Sequence, residues 1–247
     1  LWTGTTSTSW QEFDLEFTAT GTIIQASSNL GGAGYVEFDN LSVTEVNPFN
    51  GDTTGATVGQ PGIGDGLTSY TFDGNNDYVD VYSAELNSAF NPSAGTLLAW
   101  AKVSDWEDGA VGLILRVESA ATNVIQIKKS SINNRLDYVY EANNVNEAIA
   151  QTGVSTTNYF LTAITWDTLA DGGNGEMKAY FNGVQEGSTL AIGGTWVGNL
   201  ISTSVVIGAQ NTVPNSIWDG SICHTALLRQ ALSATEIKQI AQIGGVA

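Results

Sequence analysis

Apolar positions along this chain come in short runs, each closed by a cluster of Gly, Asn, Asp, Ser or Thr. That spacing predicts many short strands and little helix. The run Tyr159–Trp166 is the clearest. Phe160, Ile164 and Trp166 occupy one pleat face, and Tyr159, Leu161 and Ala163 the other. A strand apolar on both sides must be covered on both sides, so it belongs at the centre of a sheet. A second strand, Met177–Phe181, alternates and stops at Asn182-Gly183. Asn-Gly readily takes the positive φ angles of a two-residue hairpin turn, and Val184–Gly187 is the return strand.

Other strands are expected at 68–80 (two, around a turn), 95–103, 111–117, 124–129, 136–140, 204–208 and 216–228. Near the end, Ser233-Ala-Thr-Glu236 is a capping box, with Ile237, Ile240 and Ala241 on one helical face and Gly244-Gly245 as the stop. This short helix reads as a plug on the sheet. Residues 47–66 carry much Gly, Thr and Pro and read as a linker. Before it, strands are expected at 10–19, 22–26 and 35–43, too few to stand alone. The expected division is therefore 1–46 as a partial β segment, 47–66 as a linker and 67–247 as one sandwich. The opening at Leu1 reads as that of a partial chain.

Charge changes the picture more than any other bulk property. Eight Lys and Arg stand against 25 Asp and Glu, a net charge of −17. Nucleic-acid backbones and anionic membrane surfaces are disfavoured as partners, because both are neutralised by basic residues. No apolar run reaches the roughly 20 residues that cross a bilayer as a helix. With Cys223 as the single cysteine, no intrachain disulfide forms and a Cys-rich zinc site is excluded. The acidity suits a saline, extracellular setting, and carboxylates in this number suggest structural calcium, which takes oxygen ligands.

Several motifs resemble a known family. FDGNNDYV at 72–79, TLLAWAK at 96–102, KAYFNG at 178–183, WDGSI at 218–222 and ALSATEI at 231–237 occur in order. Together they resemble the laminin-G-like, concanavalin A-like domains. The resemblance implies a two-sheet antiparallel jelly-roll sandwich, all-β with one short C-terminal helix, of a kind used to bind glycans or proteins outside cells and on virions. Upstream, WQEFDLEFTATGT and GYVEFDNLSV resemble the closing strands of jelly-roll carbohydrate-binding modules. That second resemblance implies that Asp39 helps hold a structural calcium ion.

Glu12, Asp14 and Glu16 alternate like the catalytic strand of laminarinase-like glycosidases, but a strand with Phe13, Leu15 and Phe17 inward and three carboxylates in water explains them as well. Asp73, Asn75 and Asp77 start like an EF-hand loop, which Tyr78 and Ala84 then break. An Asx-braced turn is the simpler reading, with a looser calcium site at Asp73 and Asp77 as the alternative. His224 follows Cys223 on a strand, so the two point to opposite faces and form no catalytic couple. For ligand binding, Trp106 (in SDWEDG) and Trp196 (in GGTWVG) are the candidate platforms, with Asp105, Asp108 and Asp171 as polar partners. Strands 97–102 and 159–166 are apolar on both sides, so ligand-binding side chains are expected in loops at one rim; loops 104–109, 170–176 and 193–198 form such a site if they converge, and otherwise lie at opposite ends, with Trp196 capping the core.

These observations favour a non-enzymatic adhesion or structural module, at an extracellular or virion surface. Its partner would be a glycan or protein, within a larger assembly or homo-oligomer. The alternatives are a carbohydrate-binding appendage of a secreted polysaccharide-degrading enzyme and, further off, a glycosidase.

Overall fold

The computed structural model describes residues 51–120 and 122–245. The expected N-terminal strands, Glu12, Asp14, Glu16 and Asp39 lie outside the described residues. Along the chain run β1 (Asp52–Thr54), β2 (Thr57–Pro61), β3 (Thr68–Asp73), β4 (Tyr78–Asp80) and α1 (Ala84–Ala89). Next come β5 (Ala94–Val103), β6 (Gly112–Ala120), β7 (Asn123–Lys129), β8 (Arg135–Ala142), β9 (Val145–Thr152) and β10 (Phe160–Asp167). The rest is α2 (Ala170–Gly173), β11 (Glu176–Phe181), β12 (Val184–Leu190), β13 (Val205–Ile207), β14 (Asp219–Leu228) and α3 (Ala234–Ile243).

The strands form two antiparallel sheets of seven. Sheet A has the order β1-β4-β13-β6-β7-β8-β9, and sheet B the order β12-β11-β10-β5-β14-β3-β2. This is the expected all-β jelly-roll sandwich. β10 lies at the heart of sheet B between β5 and β11, as its two apolar faces require. Its Phe160, Ile164 and Trp166 meet Leu97, Ala99 and Ala101 of β5 and, from sheet A, Val117, Ile125, Ile127, Leu136 and Tyr138. Fully burying a side chain of this size contributes about 1.5–3 kcal/mol, so this layer dominates stability. One polar tie crosses it. The buried Tyr138 hydroxyl donates to the Tyr180 carbonyl at 3.2 Å and accepts from Thr162 Oγ1 at 3.0 Å. A phenol shut in this way is pushed well above its usual range by burial.

The other face of sheet B is covered as well. Leu98, Trp100, Leu161, Ala163, Tyr180 and Cys223 pack with Leu232 and with Ile237 and Ala241 of α3. The capping box forms as expected: Ser233 Oγ accepts from Glu236 N, and Glu236 accepts from Ser233 N at 2.7 Å. Gly244 ends the helix against the core, where a Cβ would fall 2.1 Å from Trp100 Cη2. The hairpin turn carries positive φ at Asn182 (48°) and Gly183 (80°), as a type I′ turn requires.

Some elements depart from expectation. The stretch 47–66, expected as a linker, contributes β1 to the edge of sheet A and β2 to the edge of sheet B. The two strands expected around a turn at 68–80 form as β3 and β4, and each joins a different sheet. β9 and α1 were not expected from the sequence. β9 is an edge strand reading VNEAIAQT and buries fully only Ile149, so its apolar signal is faint.

Candidate ligand-binding face

The rim residues separate into two groups. β5 and β10 run antiparallel with Ala101 opposite Phe160 and Ala94 opposite Asp167. The loop 104–109 therefore leaves sheet B at one end, and 168–175 leaves it at the other, roughly 30 Å away at about 3.3 Å per residue. Loop 193–198 sits with the second group: a Cβ on Gly175 would come within 2.8 Å of Ile192 Cγ1. Of the two arrangements weighed for the three loops, the structure has them at opposite ends.

Trp106 is corrected as a platform. It is 4% exposed, packs on Phe160 at 5.6 Å between ring centroids, and donates its indole N–H to the Thr156 carbonyl at 2.7 Å. Its flanking Ser, Asp and Glu face water while the ring closes the end of the core. Asp105 braces the turn by accepting from Glu107 N at 2.8 Å. Asp108 accepts from Ala110 N at 2.7 Å and pairs with Lys129, whose side chain is 2% exposed. Asp108 is thus the counter-ion of a buried ammonium.

At the other end Trp196 is half-buried, lying 5.3 Å from Phe90 and 6.5 Å from Tyr140 between ring centroids, and it caps the core. Asp171 has a positive φ of 49°, and Asn174 Nδ2 donates to its carbonyl at 3.0 Å. It shapes an exposed turn.

The 72–79 turn is braced by its own carboxylates. Asp77 Oδ2 accepts from Asp73 N and Asp73 Oδ1 from Asn75 N, both at 2.9 Å. Burial holds the Asp77 carboxyl above its ordinary range. Among the described residues no group of three or more His, Cys, Asp or Glu side chains is placed to share a metal ion. Cys223 is buried, and His224 lies at an irregularity of the β14–β5 pairing with φ 49°. Its Nε2 is 2.7 Å from Asp65 Oδ2 without hydrogen-bond alignment.

The faces expected to be occupied, those of strands 97–102 and 159–166, lie in sheet B and are covered; the outer side of sheet A is not covered among the described residues. The outer side of β6–β9 is an open groove of about 310 Å³. Strand register orders its floor into rows. Lys128 of β7 stands opposite Asp137 of β8, with Arg135 two residues before it on the same face. Next come Arg116 of β6, Gln126 of β7, Val139 of β8 and Ala148 of β9. Last are Glu118, Val124, Glu141 and Asn146.

These side chains are tied to one another. Arg116 donates to Glu118 Oε2 at 3.0 Å through Nη2 and to Gln126 through Nη1. Arg135 Nε donates to Asp137 Oδ1 at 2.5 Å, and Asn146 Nδ2 to Glu141 Oε2 at 3.1 Å. Arg116 is 9% and Asp137 8% exposed. Charged groups held this far from water are pre-organised, with little side-chain entropy left to lose on binding. In the sequence they are only the polar half of an alternating strand, and nothing local marks them as neighbours.

The described residues form a two-layer β-sandwich with one face polar and open among them. A family model of the concanavalin A-like lectin/glucanases superfamily, of laminin G type, matches residues 72–238, and the chain belongs to that superfamily. No curated protein sequence matches it. Among solved structures the botulinum neurotoxin type G receptor binding domain is similar at 11% identity and a TM-score of 0.55, over 79% of this chain and 47% of that one. The botulinum neurotoxin serotype D binding domain is similar at 15% identity and a TM-score of 0.54, over 80% and 48%. The receptor binding domain of the C/D mosaic serotype gives 13%, 0.58, 79% and 46%. The matched region thus spans about half the length of these solved domains, and the likeness is one of fold.

Proposed function

We propose that this sandwich is a non-catalytic binding module that takes a glycan on the open face of sheet A. One observation carries the reading: the groove is floored by polar side chains already tied in place, while the opposite face of the sandwich is sealed by α3. Hydroxyl-rich ligands are recognised by such fixed donors and acceptors. Glycosidic hydrolysis by the common two-carboxyl mechanism needs one carboxyl as acid and another as base or nucleophile. Here Glu118, Asp137 and Glu141 are each hydrogen-bonded to a neighbour, which supports binding over cleavage. Solved neighbours with this sandwich carry the name of receptor binding domains, which supports the same reading. Display outside the cell or on a virion, within a larger assembly, belongs to the proposal and draws on the acidic surface.

The test is a glycan panel titrated against the full chain and three variants. Ala148 is exposed on the groove floor, so Ala148→Trp fills the groove at little cost to folding. Binding should be lost in Ala148→Trp and kept in Asp105→Ala and Asp171→Ala. Loss in a rim variant with retention in Ala148→Trp would move the site back to the loops.

A further inference from the structure

Resting on that reading of the open face, we infer that its ligand is an acidic glycan, anchored through a carboxylate or sulfate at Lys128 and Arg135. The argument begins with scarcity. The chain has eight Lys and Arg in all, and three of them, Arg116, Lys128 and Arg135, line this one groove. They are not equally occupied. Arg116 spends its guanidinium on Glu118 and Gln126. Arg135 uses only Nε, on Asp137, and among the described residues its two terminal nitrogens meet no acceptor. Lys128 is half-buried and makes no ion pair among the described residues.

Register places these two cations around a single carboxylate, since Lys128 is directly opposite Asp137 and Arg135 precedes it on the same face. That end of the groove therefore carries a local excess of one positive charge. The far end carries Glu141 with Asn146 and the Arg116–Glu118 pair, which has no cation to spare. The groove is polarised along its strands: an anion seats at the Lys128 end, and hydroxyls donate to carboxylates at the Glu141 end. An incoming anion gains charge-assisted hydrogen bonds from the Lys128 ammonium and from the terminal nitrogens of Arg135. Charges farther away than the screening length of about 8 Å at physiological salt are largely screened, so the local excess weighs most at this end. The lining residues include no Trp, Tyr or Phe, so a pyranose ring has no stacking platform and charge carries recognition.

The experiment is isothermal titration of the full chain with three oligosaccharides of matched length: a polygalacturonate, a sulfated galactan and a neutral β-glucan. Lys128→Met and Arg135→Met keep the aliphatic stems and remove the charges; Lys128→Arg keeps the charge, and Ala148→Trp blocks the groove. We expect one or both acidic probes to bind more tightly than the neutral one, and the stronger of the two identifies carboxylate or sulfate. Lys128→Met should weaken acidic binding about tenfold or more, the worth of one charge-assisted hydrogen bond, leaving weak neutral binding unchanged. Lys128→Arg should retain most affinity. Equal or tighter binding of the neutral probe, or unchanged acidic binding in both Met variants, overturns the assignment; if Ala148→Trp still abolishes binding, the glycan-binding reading survives. Binding by none of the three probes overturns both.

Discussion

Removing the Asp108 carboxylate tests whether a buried charge pins the end of the sandwich. The Lys129 side chain is 2% exposed and its ammonium pairs with Asp108, which retains 29% of its own exposure. Asp108→Ala leaves the ammonium enclosed with no counter-charge. Breaking a fully buried pair from one side costs about 3–5 kcal/mol. Because Asp108 is part-exposed and loop 104–111 can yield to let water in, about 2 kcal/mol is the appropriate share here. Loss of the hydrogen bond from Ala110 N, 2.7 Å long, adds about 1 kcal/mol. A total near 3 kcal/mol corresponds to a fall in Tm of about 6–12 °C for a domain of this size. Thermal and urea denaturation followed by near-UV circular dichroism measure it. The double variant Asp108→Ala/Lys129→Met should recover most of the loss, because an apolar side chain of similar length needs no counter-ion. A single-variant loss below about 1 kcal/mol, or a double variant no better than the single, would refute the argument.

Three further outcomes follow from the same structure. Burial pushes the Cys223 thiol up to about 11, so a disulfide reagent at pH 8 should leave the native protein untouched and label it fully once unfolded. Glu236 is held below its ordinary value by hydrogen bonds from Ser233, so its folded pKa is depressed. The capping-box contribution should be present above the unfolded carboxylate range and fade as pH falls through the depressed value; Ser233→Ala should abolish that pH dependence at the helix end in hydrogen-exchange profiles. Asp77 is shifted the other way, raised chiefly by burial, so Asp77→Asn should be neutral or slightly stabilising at pH 7. Chelation tests the turn separately: a fall in Tm on removing calcium that Asp77→Asn abolishes would establish a calcium site there.

Which parts of this protein were legible in its sequence depends on how far each signal reaches along the chain. The apolar double face of Tyr159–Trp166, the Asn182-Gly183 turn and the Ser233–Glu236 box are each complete within ten residues, and each takes its expected form. β1, β2 and β9 are edge strands with little to bury; their order comes from pairing with β4, β3 and β8, so their own composition resembles that of loops. Trp106 sits in an acidic loop, SDWEDG, and Trp196 in a Gly-rich one, GGTWVG. Yet one ring closes the core beside Phe160 and the other caps it beside Phe90, because the direction of a loop side chain is set by what lies under the loop. The open face is the sharpest case. Arg116, Gln126, Lys128, Asp137 and Glu141 alternate with core residues as any solvent-facing strand does. Only the register of β6, β7 and β8, together with a helix that packs on sheet B and not, among the described residues, on sheet A, turns three separate polar stripes into one groove. Strand periodicity tells which side of a strand faces out, but not which strands become neighbours or which face stays uncovered; long-range packing decides both.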